Sequence, residues 1–220
     1  MLSLFAIWSR LMRKLLCALP LFVAVPLIAQ SAPQMPGTMD VARVTAGTYN
    51  TDPSHTLIGW RVSHFGFNDY FGIFGDVTGT LILDPAKLNE AKVDITIPVS
   101  KVTTASAGLT GHLLRAGKDG GKADFFGPTP ADAKFVCTSV VAKGTTAKIT
   151  GNLTLNGVTK PVVLDTKFSG AGNNPFNKKA TIGFHATAVI KRSSFGISYA
   201  VPMISDDVTL DISVAFEKAT

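Results

Sequence analysis

The four histidines are the residues of this chain best suited to metal binding or acid–base chemistry. They are His55, His64, His112 and His185. Protein zinc sites usually take histidines that lie a few residues apart on a helix or close together on strands. No two of these histidines have such spacing, so the sequence predicts no metal site.

Covalent catalysis would need a nucleophile beside an oriented base. The chain has no Gly-x-Ser-x-Gly turn, and Cys137 stands alone on a predicted strand, which favours a buried, unreactive thiol. The adjacent Asp206 and Asp207 lie in a predicted turn, which favours solvated carboxylates over a catalytic pair. The glycines at 117–121 are not followed by the long helix of a phosphate-binding loop. We therefore expect a protein that is not an enzyme and has no cofactor.

His64 is the one titratable side chain expected to face inward. Strict alternation places it on the same strand face as Ile58, Trp60 and Val62. In that position it could orient the polar headgroup of a ligand, or it could simply be satisfied by a neighbouring backbone group. The residues alone leave both interpretations open.

The N-terminal residues have the pattern of a secretory signal. Basic residues at 10, 13 and 14 precede an apolar run over 15–28, which ends in small residues. The run is shorter than the ~20 apolar residues of a bilayer span and contains two prolines, which makes a permanent anchor the weaker interpretation. We predict a signal peptide over 1–31 and a periplasmic protein in which Cys137 has no disulfide partner.

A flexible leader is predicted over 32–46, where proline, glycine, glutamine and threonine predominate, and one domain over 47–220. The chain carries 21 Lys and Arg against 15 Asp and Glu, and the basic residues are scattered. Nucleic-acid sites instead group basic residues with stacking aromatics. The composition therefore indicates no nucleic-acid partner.

Apolar residues recur at every second position through most of the predicted domain, which is typical of half-buried strands. The alternating sets include 93–99, 149–155, 162–168, 182–190 and 208–216, and one further set is Phe135, Cys137 and Ser139. Asn156 and Gly157 form the strongest hairpin signal. Only 106–126 has helical spacing, so we expect a short helix over one end of an all-β antiparallel fold, either a closed barrel or a sandwich.

Five motifs in order resemble the YceI family of secreted, lipocalin-like proteins. They are Tyr49–Thr56 with Trp60–His64 and Gly72–Phe74; His112-Leu113 with Asp124–Phe126 and Phe135; Gly151–Val162; Arg192–Ile197; and Val208–Glu217. The resemblance implies an eight-stranded lipocalin-like barrel with a short helical cap that holds a long isoprenoid, such as a quinone or polyprenyl lipid, or an acyl chain. Residues 115–122 and the aromatic-rich loop 65–74 depart from the family pattern.

On this resemblance we expect the lipid to contact fourteen side chains. They are Trp60, Val62, His64, Phe65, Phe74, Ile95, Ile97, Phe125, Phe126, Phe135, Leu153, Phe184, Arg192 and Phe195. The cap and the loop 65–74 would gate the mouth of the barrel. Arg192 would either meet a polar headgroup or brace the last turn.

Alternation of apolar residues cannot distinguish side chains that meet each other from side chains that meet a lipid. A structural or stress-response protein with a filled barrel, and an enzyme acting on an isoprenoid through His64, therefore remain as alternatives to a lipid carrier. The sequence is compatible with transient membrane contact and with a homodimer, and it identifies neither the lipid nor a protein partner.

Overall fold

A computed structural model describes residues 34–220, so the predicted signal peptide over 1–31 lies outside the described residues. Eleven strands form one antiparallel sheet. They are β1 Gly47–Thr51, β2 Leu57–His64, β3 Asn68–Phe74, β4 Thr78–Leu83, β5 Lys92–Ile97, β6 Val102–Thr104, β7 Ala133–Lys143, β8 Thr146–Leu155, β9 Val158–Asn173, β10 Ala180–Lys191 and β11 Asp207–Lys218.

The sheet closes into a barrel, which confirms the predicted fold and excludes the sandwich. The closed ring runs β1-β4-β5-β7-β8-β9-β10-β11 and returns to β1, because Tyr49 to Thr51 of β1 pair with Phe216 to Lys218 of β11. The remaining strands β2, β3 and β6 continue from β11 as a three-stranded flap at one end of the ring. Closure leaves the eight ring strands without a free edge.

Local sequence explains the tightest turn. Asn156 and Gly157 connect β8 to β9, and both have positive φ, at 53° and 76°. Two-residue hairpins need this backbone shape to match the twist of their strands, and asparagine followed by glycine adopts it at the lowest cost. The Asn156 side chain also donates a hydrogen bond of 3.0 Å to the Phe195 carbonyl, which ties the turn to the next loop of the same barrel end.

A β-bulge in β7 corrects one predicted face. Cys137 pairs with Gly151 and Ser139 with Thr150, so one extra residue, Thr138, interrupts the register. Beyond the bulge Ser139 is exposed and Val140 is buried, the reverse of the predicted alternation. A single inserted residue moves every later side chain to the other face of a strand.

The barrel has two different ends. The capped end carries the helix α1, Ala107–Leu114, the loop over 192–206 and the β2–β3 hairpin turn, whose Phe65 amide donates to the Met203 carbonyl. Ser106 caps α1 by accepting a hydrogen bond from the Leu109 amide. The open end carries the β7–β8 and β9–β10 turns, the β4–β5 connection and the segment before β1.

Candidate functional site: an apolar cavity inside the barrel

The barrel encloses a cavity of about 450 Å³. Each ring strand except β1 turns alternate apolar side chains toward it. The principal lining residues are Leu81 and Leu83 of β4, Val93, Ile95 and Ile97 of β5, Phe135 and Val140 of β7, Ile149 and Leu153 of β8, Val162, Leu164 and Phe168 of β9, Phe184 and Ala186 of β10, and Leu210, Ile212, Val214 and Phe216 of β11.

The wall of the cavity is almost entirely hydrocarbon. Its polar side chains are four threonines, Thr56, Thr145, Thr146 and Thr166, and no charged residue of the described chain lines it. The three phenylalanines on β9, β10 and β11 pack edge to face, with Phe184 at 6.0 Å from Phe168 and 6.2 Å from Phe216. A cavity with these walls favours an apolar ligand and offers little to orient a polar one.

The cavity reaches the surface at the open end. Gly144 and Thr145 of the β7–β8 turn, together with Pro85 and Leu88 of the β4–β5 connection, form part of its wall. Val41 also lines the cavity although 55% of its surface is exposed. This location differs from the mouth predicted at the cap.

The segment over 38–45 forms a strap beside the mouth, within the predicted leader. Thr38 and Ala171 exchange backbone hydrogen bonds of 3.1 and 2.8 Å. At the other end of the strap, Thr45 accepts hydrogen bonds from the Tyr49 hydroxyl at its carbonyl, 2.6 Å, and from the Lys218 ammonium at its Oγ1, 2.7 Å. Between these ties, Val44 contributes to the cavity wall.

Aromatic side chains close the barrel at the capped end. Phe74 of the flap packs against Phe126 with 5.9 Å between the ring centroids. The Trp60 ring lies directly over Gly72 of the neighbouring strand and leaves no room there for a larger side chain. None of these residues lines the cavity. The packed flap explains why the cavity does not open where the sequence predicted a mouth.

Arg192 is 5% exposed and braces the capped end. Its Nε donates to the Ser205 carbonyl, and its two terminal nitrogens donate to Tyr199, Ile204 and Ile197, at distances between 2.8 and 3.3 Å. Burial lowers the pKa of its guanidinium from the ordinary value. All three nitrogens are therefore engaged by backbone, which favours the bracing interpretation over contact with a headgroup.

A second polar cluster holds the segment after α1. His112 Nε2 lies 2.8 Å from Asp124 Oδ2, and Arg115 donates to the same oxygen at 2.9 Å. These hydrogen bonds, that from Arg115 first, hold the pKa of the Asp124 carboxyl below its ordinary value. The His112 ring also packs against Phe125 and Tyr199. The cluster joins the cap to the loop over 192–206.

Five of the fourteen predicted contact residues line the cavity, namely Ile95, Ile97, Phe135, Leu153 and Phe184. The other nine lie at the capped end, namely Trp60, Val62, His64, Phe65, Phe74, Phe125, Phe126, Arg192 and Phe195. The His64 ring packs against Phe65, 4.4 Å between centroids. Whether any of the fourteen contacts a lipid stays a prediction.

Sequence reasoning missed the residues around the mouth. Val41 and Val44 fell within the predicted leader, although apolar residues three positions apart are a signal for a single helical turn against a core, and 41–43 forms such a 3₁₀ turn. Within 34–220, no group of three potential metal ligands occurs, and no helix has both the length and the hydropathy to cross a bilayer.

Comparison with known proteins gives consistent matches. The family model of the YceI-like domain matches residues 49–216. Protein YceI of Salmonella arizonae is 37% identical over 172 residues, which cover 77% of this chain and 86% of that protein. The crystal structure of the YCEI protein of Campylobacter jejuni is 30% identical with a TM-score of 0.59, over 72% of this chain and 90% of that one.

A more distant structure shares the fold. A polyisoprenoid binding domain from Saccharophagus degradans aligns with a TM-score of 0.53 over 78% of this chain and 98% of its own length, at 14% sequence identity. At that identity, the likeness extends to the arrangement of strands alone.

Proposed function

Because this chain belongs to the family of YceI-like domains, we propose that its barrel binds the apolar chain of a long lipid in the cavity described above. The observation that carries the proposal is a cavity of about 450 Å³ whose wall holds four threonines and no charged residue of the described chain. The volume lies within the range of about 300 to 1,000 Å³ typical of ligand sites.

The physical basis of affinity is desolvation. Each CH₂ group that leaves water for an apolar wall contributes about 0.8 kcal/mol, so a long chain binds without a specific polar contact. The buried Arg192 supports the same conclusion, because four of its five N–H groups donate to backbone carbonyls within residues 197–205. A headgroup of such a lipid would stay near the open end.

We propose an isoprenoid, such as a quinone or polyprenyl lipid, ahead of an acyl chain. The Saccharophagus domain, which shares the fold and is described as a polyisoprenoid binding domain, supports this class. Binding without chemical conversion fits a cavity in whose wall no titratable side chain of residues 34–220 is found. The predicted signal over 1–31 supports a periplasmic site of action, in transport, storage or sequestration of the lipid.

Native mass spectrometry of the mature protein from its own periplasm, followed by organic extraction, tests the proposal. The expected result is one mass class of long-chain lipid at about one molecule per barrel. Ala186→Trp fills the cavity from β10 and should remove most of that lipid, whereas Val189→Trp places the same side chain on the outer face of the same strand. Repeated recovery of empty protein, or equal lipid in both variants, would contradict the proposal.

A further inference from the structure

The β9–β10 hairpin projects beyond the neighbouring strand β8 at the open end. The β8 strand begins at Thr146, opposite Lys167, but β9 and β10 stay paired as far as Asn173 and Ala180. At the tip, the Asn174 amide donates to the Lys179 carbonyl and the Lys178 amide to the Asn174 carbonyl, both at 2.9 Å. The tip is therefore an ordered turn rather than a loose loop.

This ordered turn presents an apolar side chain to solvent. Phe176 is 93% exposed, and its amide is held by the Asn174 side chain at 3.0 Å. A phenylalanine fixed in water gains nothing from its own fold, since it buries almost none of its ring. Met39 and Val41 are also exposed, and the Thr38–Ala171 bridge holds their segment against the same hairpin. Together, Phe176, Met39 and Val41 form an apolar rim at the open end.

Lysines lie beside the apolar rim, whose own segment carries one exposed charge of each sign, Asp40 and Arg43. The β9–β10 turn contains Lys178 and Lys179, Lys143 is the last residue of β7 beside the β7–β8 turn, and neither turn contains an acidic residue. Lys179 is paired with Glu217 at 3.2 Å. No carboxylate of the described residues lies within 4.0 Å of the Lys143 or Lys178 ammonium. Aromatic groups flanked by lysines are suited to the interface of a bilayer that carries negative charge.

We propose that the open end docks on the surface of a bilayer containing anionic lipid, with Phe176 inserted among the headgroups and Lys143 and Lys178 above them. This inference rests on the proposed lipid binding. A lipid chain that moved between a bilayer and the cavity through water would expose every CH₂ group to water, at a cost in free energy that grows with its length. Contact between the apolar rim and the bilayer removes that barrier, because the cavity opens beside Val41.

The capped end provides a matched control. Phe67, on the β2–β3 hairpin turn, is 89% exposed, nearly as much as Phe176. The charged side chains of that hairpin, Arg61 and Asp69, pair with each other at 3.5 Å, and the hairpin has no lysine. The cavity does not open there. If an exposed phenylalanine were sufficient, both ends of the barrel would bind a bilayer equally. The proposal instead predicts that only the open end binds.

Flotation with phosphatidylcholine vesicles, prepared with and without phosphatidylglycerol, tests the docking. Phe176→Ser should lower partition into both vesicle types about ten-fold, and Phe67→Ser should leave it unchanged. Lys143→Gln should lower partition about five-fold on anionic vesicles only. Equal binding of the wild type and Phe176→Ser, or an equal loss in Phe67→Ser, would overturn the proposal. A dimer that Phe176→Ser dissociates, without a change in vesicle binding, would assign the rim to a second copy of the chain.

Native mass spectrometry of the same preparations separates the two proposals. If the barrel contains lipid but the protein does not bind vesicles, the docking proposal is refuted and the proposed lipid binding stands. An empty barrel that binds vesicles through Phe176 refutes the proposed lipid binding and retains the docking surface.

Discussion

The two ends of the barrel present equally exposed phenylalanines but differ in what lies behind them. Behind Phe67 are a packed aromatic flap, the Arg192 network and the His112–Asp124 cluster. Behind Phe176 are a strap and the mouth of a cavity. The strands that connect the ends carry the same kind of alternation, interrupted by the bulge in β7. Hydrophobic periodicity thus builds the wall, and local packing decides whether the space inside is filled or open.

Among substitutions that test the difference between the two ends, a change at Arg192 should have the largest effect on the free energy of unfolding. Arg192→Met removes donors to four backbone carbonyls in the capped end and should lower the free energy of unfolding by about 3 to 5 kcal/mol, measured by urea denaturation. Lys191→Met is the neighbouring control, because Lys191 makes only an exposed ion pair with Asp207. A small effect of Arg192→Met would mean that the capped end does not depend on this network.

Replacement of one alanine by leucine at each end should change stability by an intermediate amount, and only at the capped end. Ala133, at the capped end, is 3% exposed and packed among Ile97 and Val99, so Ala133→Leu should cost about 1 to 3 kcal/mol through overpacking. Ala147 lines the cavity near its mouth, and Ala147→Leu has empty space to occupy. It should leave thermal unfolding unchanged and reduce bound lipid. Equal destabilisation by both variants would indicate that the open end is as filled as the capped end.

Lowering the pH should produce the smallest change in the free energy of unfolding. At the capped end this change involves the carboxyl group of Asp206. Hydrogen bonds from the Ser193 amide and hydroxyl, each 2.8 Å, lower the pKa of this carboxyl, the amide first. A lowered folded-state pKa stabilises the protein at neutral pH, and that contribution is lost as the pH falls below about 4. Urea denaturation at about pH 7 and about pH 3 should therefore show that Asp206→Asn destabilises the protein more at the higher pH than at the lower one. A constant difference would assign the effect to lost hydrogen bonds rather than charge.

The predictability of each region follows from the range of the interactions that form it. Alternation and the Asn156-Gly157 turn predicted the strands, because both are local properties of the chain. The position of the mouth depends on the bulge at Thr138, which reverses the face of Val140, and on the packing of Phe74 on Phe126 from distant elements. Neither has a signal in the spacing of residues.

Arg192 illustrates the same limit at one side chain. Its place in an Arg-Ser-x-Phe-Gly motif marked it as important but left two roles open. The acceptors that decide between the roles are backbone carbonyls within residues 197–205. Every residue has such a carbonyl, so the residue types do not show which ones accept from Arg192. Only the path of that loop in space brings four of them to one guanidinium.

The pairing of β1 with β11, which closes the barrel, implies an order of folding. Tyr49 to Thr51 pair with Phe216 to Lys218, which joins the beginning of the domain to its end. Pairs so distant along the chain form slowly, because a long loop must close before they contribute. The eight-stranded ring can close only after β11 is available, so we expect the hairpins from β7 to β10 to form first and the interior to become enclosed last.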